Sequence, residues 1–173
     1  MVIYIDDESI IKVDRQDYDL SYYKWYVKGG YAQRSVWIKS TPESKLRSMH
    51  RIIVQRMVGR VLLSSEQVDH INGDKLDNRR ANLRPATNQQ NMWNRGSRSG
   101  SSSRYVGVAY YPITSRWIAR IKVSGYQINI GYFPTELEAA WMRDQYALAL
   151  HGDFACLNLK YVPIDGEDSL HAC

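Results

Sequence analysis

Val68-Asp69-His70-Ile71-Asn72-Gly73-Asp74-Lys75-Leu76-Asp77-Asn78-Arg79-Arg80-Ala81-Asn82-Leu83-Arg84 decides the reading of this chain. Residues 68–71 form a short strand that runs into Asn72-Gly73, a strong tight-turn signal because both residues tolerate a left-handed backbone. After an extended return through Leu83 and Arg84, Thr87-Asn88-Gln89-Gln90 has the spacing of a capping box and predicts a helix that stops by Gly96. A further helix over residues 49–58 precedes the strand. Met49, Ile52, Ile53 and Met57 recur there at helical spacing, Arg51, Gln55 and Arg56 fall on other faces, and Gly59 closes it. Residues 49–96 therefore read as a ββα unit with one helix in front.

Working toward the N-terminus, residues 2–5, 10–13, 25–28 and 31–38 are short β-branched or aromatic runs. The last two are joined by Gly29-Gly30, and together the runs predict a small antiparallel platform. Toward the C-terminus, residues 97–103 contain no apolar side chain and read as a flexible linker with Arg98 in it. Beyond it, residues 104–110, 116–123 and 126–131 read as three consecutive strands. Thr135-Glu136-Leu137-Glu138 is a second capping box, opening a helix that runs to Leu150 with Gly152 as its stop. The class is α+β, with a first domain over 1–96, a linker over 97–103, a second domain over 104–160 and a tail over 161–173. There is no internal repeat.

The chain has 173 residues and 44% hydrophobic content, enough for one ordinary domain or two small ones and too apolar for a disordered chain. Its longest apolar stretches fall far short of the ~20 residues of a membrane span, and its first ten residues are acidic where a signal peptide would be basic. These features predict a soluble cytoplasmic protein with no membrane partner. Cys156 and Cys173 make neither a CxxC pair nor a disulfide framework, so zinc is not expected and a metal would take oxygen and nitrogen ligands. The net charge is +5, but it is unevenly placed: residues 1–44 carry −1, residues 45–104 carry +8, and residues 105–173 carry −2. A basic block around the Asp-His segment points to nucleic acid.

The quoted segment resembles the HNH endonucleases, specifically the phage and intron-encoded homing type. Their pattern is an Asp-His at a strand end, an Asn before Leu-Arg, and a second Asn on the following helix; all four positions are filled here. The resemblance implies a ββα-metal nuclease that cleaves duplex DNA with one divalent cation, Mg2+ before Mn2+. It implies Asp69 and Asn91 as metal ligands, His70 as general base, and Asn82 holding the loop and orienting the histidine. Asn91 is assigned by its offset from Asn82; Asn94 and then Asn88 are the alternatives on the same helix. His50 also matches a family position, where a structural role is expected. The residue types suit the chemistry independently, since a histidine near its ordinary pKa can take a proton from water and a hard cation needs few protein oxygens. A calcium loop is the other reading of Asp74, Asp77 and Asn78, but the EF-hand glycine and terminal glutamate spacing is missing. One difficulty is that adjacent residues on a regular strand face opposite ways, so Asp69 and His70 serve one phosphate only where the strand ends or twists.

Residues 105–159 resemble the AP2 DNA-binding domain, three antiparallel strands backed by one helix. The matching pieces are Tyr105-Val106-Gly107-Val108, Arg116 through Ile121, Ile130 through Phe133, Glu138-Ala139-Ala140, His151-Gly152 and Leu157-Asn158. Alternation puts Trp117, Ala119, Ile121 and Val123 toward the helix and Arg116, Ile118, Arg120 and Lys122 outward. Ala139, Met142, Tyr146 and Ala149 form the helix face expected to meet them. The resemblance implies major-groove contacts from Tyr111, Arg120, Lys122, Gln127 and Asn129, with Arg79, Arg80, Arg84, Arg95, Arg98 and Arg104 on the phosphate backbone. Ala109, Gln127 and Asn129 stand where plant AP2 domains often carry arginine or tryptophan, which implies a different or looser target. The expectation is thus a monomeric two-module homing endonuclease acting in the cytoplasm, that of the host if phage-encoded, with no protein partner. Its rivals are a DNA-binding regulator with an inactive HNH module and a nonspecific nuclease.

Overall fold

A computed structural model describes residues 1–5, 9–37, 44–96 and 100–159. The expectations for Ile38, for Arg98 and for the tail over 161–173 lie outside the described residues. The chain divides into two compact units, Met1–Asn88 and Gln89–Cys173, and each is described by itself.

In the first unit, β1 (Val2–Tyr4) and β2 (Ile10–Lys12) form an antiparallel pair. A 3-10 turn over Arg15–Tyr22 follows, and then an antiparallel sheet in the order β3 (Tyr26–Lys28), β4 (Tyr31–Trp37), β5 (Ser44–Ser48). The turn between β3 and β4 needs its glycines: Gly29 and Gly30 have φ of 60° and 84°. Two successive left-handed residues match the twist of a two-residue hairpin. Nothing in the sequence announces β5. Ser44-Lys45-Leu46-Arg47-Ser48 shows no apolar alternation, and its exposed side chains are held in line by backbone pairing with β4, Arg34 opposite Arg47.

Helix α1 (Met49–Val58) ends at a left-handed Gly59, as its sequence predicts. Its buried face is Met49, Ile53 and Val54, while Met57 of the expected stripe is exposed. These residues join Ile3, Ile11, Val13, Leu20, Trp25, Ala32, Leu62, Val68 and Leu83 in one core. The antiparallel pair β6 (Gln67–His70) and β7 (Leu83–Ala86) closes over that core, and helix α2 (Asn88–Trp93) begins just after Thr87. The division between the two units falls inside α2.

The second unit is a sheet in the order β10 (Tyr126–Phe133), β9 (Arg116–Val123), β8 (Val108–Tyr111), with helix α3 (Glu136–His151) over it. The Thr135 capping box is fully formed: its hydroxyl accepts from the Glu138 N–H and its own N–H donates to the Glu138 carboxylate. Trp117, Ala119, Ile121 and Val123 pack on the helix side, as their alternation predicts. The helix face differs from the expected one. Ala139, Ala140, Arg143, Asp144, Ala147 and His151 are buried, whereas Tyr146 and Ala149 are exposed. Apolar residues alone point to a rotated face, because the helix turns a charged pair inward. Arg143 bonds the Cys156 carbonyl, and Asp144 accepts the N–H groups of Asn158 and Leu159 at 2.7 and 2.9 Å.

Strand β8 begins four residues later than expected. Gly107 is left-handed with φ 75°, and its carbonyl accepts the Arg120 N–H at 2.7 Å. A Cβ there would lie 2.4 Å from the Arg120 carbonyl oxygen. The Asn158 side chain pairs with Val106 in both directions, accepting its N–H at 2.6 Å and donating to its carbonyl at 3.0 Å. Ser102 and Ser103, from the serine-rich stretch, are built into this unit. Ser102 accepts the Tyr110 N–H, and the buried Ser103 donates to Glu136. Among the described residues no helix is long and apolar enough to cross a membrane.

Gly59 is left-handed with nothing near its missing Cβ, whereas Gly107 is left-handed against backbone. In urea titrations Gly59→Ala is expected to cost about 1 kcal/mol, the ordinary penalty of the conformation. Gly107→Ala should cost at least ~2 kcal/mol more, with the second unit unfolding first; equal losses would contradict the close approach.

Candidate active site

Strand β6 ends at His70 because the chain must turn there: the Gly73 N–H bonds the His70 carbonyl and the Ile71 N–H bonds the Asn82 carbonyl, both at 2.9 Å. The register places Asp69 opposite Arg84 and His70 opposite Leu83. Both side chains are buried. Arg84 donates from Nε and a terminal nitrogen to Asp69 Oδ2 at 2.8 and 2.7 Å. The imidazole of His70 instead packs among rings, 5.2 Å from His50 and 5.9 Å from Tyr31 between centroids, and Tyr31 lies 5.0 Å from His50. The first turn of α1 supplies His50 and the first position of β4 supplies Tyr31.

The loop from Ile71 to Asn82 is held from inside. Asn82 accepts the Asn72 N–H at 3.0 Å with Oδ1 and donates from Nδ2 to the Asp77 carbonyl at 2.8 Å. Both ends of its amide thus serve the loop. The amide that favours the charged form of His70 is that of Asn78. Asn78 is buried: its Nδ2 donates to the Leu76 carbonyl at 3.2 Å, and its Oδ1 makes no hydrogen bond among the described residues. By sequence Asn78 reads as a turn residue, and nothing in its spacing separates the two roles. Strand β2 steadies the same loop: the Lys12 N–H bonds the Leu76 carbonyl and the Asn78 N–H bonds the Lys12 carbonyl.

Burial drives the electrostatics of the two histidines. It lowers His70 below its ordinary 6.5, opposed by the Asn78 amide and by Asp69, Asp74 and Asp77. His50, desolvated and beside His70 and Arg51, is pushed down to about 3. Both imidazoles are therefore neutral at neutral pH, and His70 retains a basic lone pair. His50 Nδ1 is buried with no hydrogen-bond partner among the described residues.

Six arginines of the basic block are engaged by the fold itself. Arg79 clamps the wholly buried Asp77 with two bonds of 2.5 and 2.7 Å. Arg80 and Arg56 share the wholly buried Asp17, at 2.7 and 3.0 Å. Arg60 pairs with Glu66, and Arg51 donates to the carbonyls of Leu62, Leu63 and Glu66. Of the expected backbone contacts, Arg79, Arg80 and Arg84 thus hold a carboxylate of the first unit, Arg95 is exposed, and Arg104 is exposed against the Tyr105 ring.

In the second unit, one sheet face gathers the five expected groove contacts. Gln127 lies opposite Lys122, Asn129 opposite Arg120, and Tyr111 opposite Arg116. A bulge at Ile130 shifts the register so that Tyr132 reaches the same face, 5.3 Å from Tyr111. The face is not wholly polar, since Ile118 at its centre is buried between Ala109 and Tyr132. Asn91 stands half-buried on α2, whose Trp93 stacks on His151 with centroids 4.3 Å apart. Among the described residues no group of three or more His, Cys, Asp or Glu is gathered as a metal cluster.

Residues 47–93 match the family description "HNH endonuclease". That range takes in β6, the held loop, β7 and α2. An uncharacterized HNH endonuclease of Acanthamoeba polyphaga mimivirus is 34% identical over 140 residues, covering 80% of this chain and 68% of that protein. The chain belongs to the HNH endonuclease family. It is a DNA-cleaving hydrolase, and nucleases of this family typically use a divalent metal. That matched range holds the Asp-His strand end and His50 of the ring cluster, and the similarity to the viral protein extends well beyond it.

The lowered pKa values fix a direction for pH dependence. A histidine buried neutral binds its proton less readily when folded, so stability is full above ~6.5 and falls as pH drops toward the folded value. His50 should contribute up to about 1.4 kcal/mol per pH unit to that fall between ~6.5 and about 3. Chemical denaturation at pH 7.5 and pH 5 should show the loss, and His50→Phe should flatten it; an unchanged slope would mean that His50 titrates normally.

Proposed function

We propose that this HNH nuclease is a site-directed homing endonuclease, in which the first unit hydrolyses a phosphodiester bond of duplex DNA and an AP2-like second unit sets where it cuts. The observation that carries the chemistry is His70, buried and neutral at the end of β6, with its loop tied by Asn82 and its ring set beside those of His50 and Tyr31. A neutral imidazole presents its unprotonated nitrogen as a base. His70 takes a proton from the attacking water, a contribution of ~10²–10⁴-fold for a well-placed general base. Asp69 offers a carboxylate whose Oδ2 is oriented by Arg84, and the proposed partner ligand is the Asn91 amide oxygen. One carboxylate and one amide oxygen suit a hard ion that keeps most of its water, so Mg2+ is proposed, with Mn2+ as the substitute. When bound, such an ion supplies charge stabilisation at the phosphate and at the leaving 3′ oxygen.

The targeting half of the proposal is supported by the polar sheet face of the second unit. Arg120 and Lys122 on β9, Gln127 and Asn129 on β10 and Tyr111 on β8 lie on one surface, a set that can bond base edges in the major groove. Arg120 carries a buried Nε without a hydrogen-bond partner among the described residues, so its guanidinium still has a donor to place. The protein is proposed to act as a monomer in the cytoplasm, since two unlike modules can span one long asymmetric site.

Incubating the purified protein with a random-sequence duplex library and Mg2+ tests the reading. A recurrent cleavage site supports the homing enzyme, uniform cutting reduces the second unit to an anchor, and binding without cutting leaves a regulator. His70→Ala is expected to abolish cleavage while duplex affinity stays within a few-fold. Of Asn88, Asn91 and Asn94, replacement of Asn91 by Ala should raise the Mg2+ requirement most. The salt dependence separates free from occupied arginines: Arg95→Ala with Arg104→Ala should lower the slope by ~0.9 for each phosphate no longer neutralised. Arg80→Ala should instead lower the melting temperature, because it strips Asp17 of a partner.

A further inference from the structure

We propose that Lys75 is a phosphate-binding residue of the cleavage site, set in place by the ring of Tyr31 and the side-chain-free Gly29-Gly30 turn. The inference rests on His70 as the base and adds a cation to that centre. It begins from how charge is distributed in the loop after β6. Each loop carboxylate has its own cation: Asp69 is paired with Arg84, Asp74 with Lys12 at 3.0 Å, and Asp77 with Arg79. Lys75 lies between Asp74 and Asp77 in sequence yet takes part in none of the ion pairs among the described residues.

Its contacts hold the ammonium without neutralising it. Lys75 Nζ donates to the Gly29 carbonyl at 3.1 Å and stands 4.4 Å from the centroid of Tyr31. A π face and a carbonyl attract a cation but leave its net charge intact for an incoming anion. The path of the side chain is also prepared. A Cβ on Gly30 would come within 3.1 Å of Lys75 Cδ, so the second glycine of the turn serves the lysine as well as the hairpin.

The location gives the charge its use. Tyr31 meets Lys75 on its face and packs against both His70 and His50, so a single aromatic ring separates the ammonium from the imidazole of the base. Lys75 is exposed while His70 is buried and His50 half-buried, which puts the cation on the solvent side of the cluster, where a phosphate arrives. A compact ammonium with rotatable donors suits the non-bridging oxygens of a phosphodiester. A donor that meets charge developing in the transition state acts on kcat, while a backbone contact elsewhere acts on KM alone.

The test compares Lys75→Met, Lys75→Arg, Tyr31→Phe, Tyr31→Leu and His70→Ala in single-turnover and steady-state cleavage. The substrate is the site recovered from the random library, or supercoiled plasmid where cutting is uniform. Lys75→Met is expected to lower kcat at least tenfold with an unchanged melting temperature, and Lys75→Arg to recover most of the loss. Tyr31→Phe keeps the ring and should stay near the parent. Tyr31→Leu should lose as much as Lys75→Met, and the two changes combined should cost little more than either alone. If Lys75→Met keeps kcat within twofold, or lowers only the melting temperature, the lysine is a hairpin staple and the proposal fails while His70 as base stands. Full activity of His70→Ala would instead remove the reading beneath it.

Discussion

Asp77 is the point on which the first unit turns. Its side chain is wholly buried, and a carboxylate in that position is tolerable only when every oxygen is met. Arg79 meets it with two bonds, the Asn72 amide adds a third, and the Asp77 carbonyl takes Asn82 Nδ2. Loss of any of these would leave a buried charge or dipole short of a partner, so the loop has few alternative conformations. The orientation of His70 and the location of Lys75 both follow from this knot. The neighbouring pairs repeat the device: Asp17 ties the 3-10 turn to α1 and to Arg80, and Asp69 ties β6 to β7.

This use of charge gives most of the basic block a role inside the fold. Its +8 is real, but Arg51, Arg56, Arg60, Arg79, Arg80 and Arg84 are engaged by carboxylates and carbonyls of the fold. A linear count sees sign and density; it cannot see which guanidinium a buried carboxylate has already taken. For most of those six, the partner lies far away in sequence or is a backbone oxygen. Arg56 reaches across 39 residues and Arg80 across 63.

What is legible in the sequence is whatever is written in local pattern. The Gly29-Gly30 hairpin, the Gly59 stop, the Asp-His strand end with its Asn-Gly turn and the Thr135 capping box all depend on residues within a few positions of one another. The alternation of β9 is readable for the same reason. What escapes depends on contacts distant in sequence. The strand β5 exists because β4 offers it a ladder, the face of α3 is set by a charged pair that grips residues 156–159, and Asn78 has its role only because the loop folds back on His70. The bulge at Ile130 belongs here too, since it shifts which side of the sheet Tyr132 meets without a change of residue type that would announce it.

The pairing of Asn158 with Val106 has a wider meaning. One amide side chain laces the residues that follow α3 to those that precede β8, and Asp144 accepts the N–H groups of residues 158 and 159. Segments 52 residues apart that are bonded side by side tie the two ends of the sheet-and-helix layer into one cooperative piece. The sheet and helix of the second unit are thus fastened at one edge by side chains as well as by strand pairing, so a change at residue 158 reaches the residues before β8 as directly as those after α3.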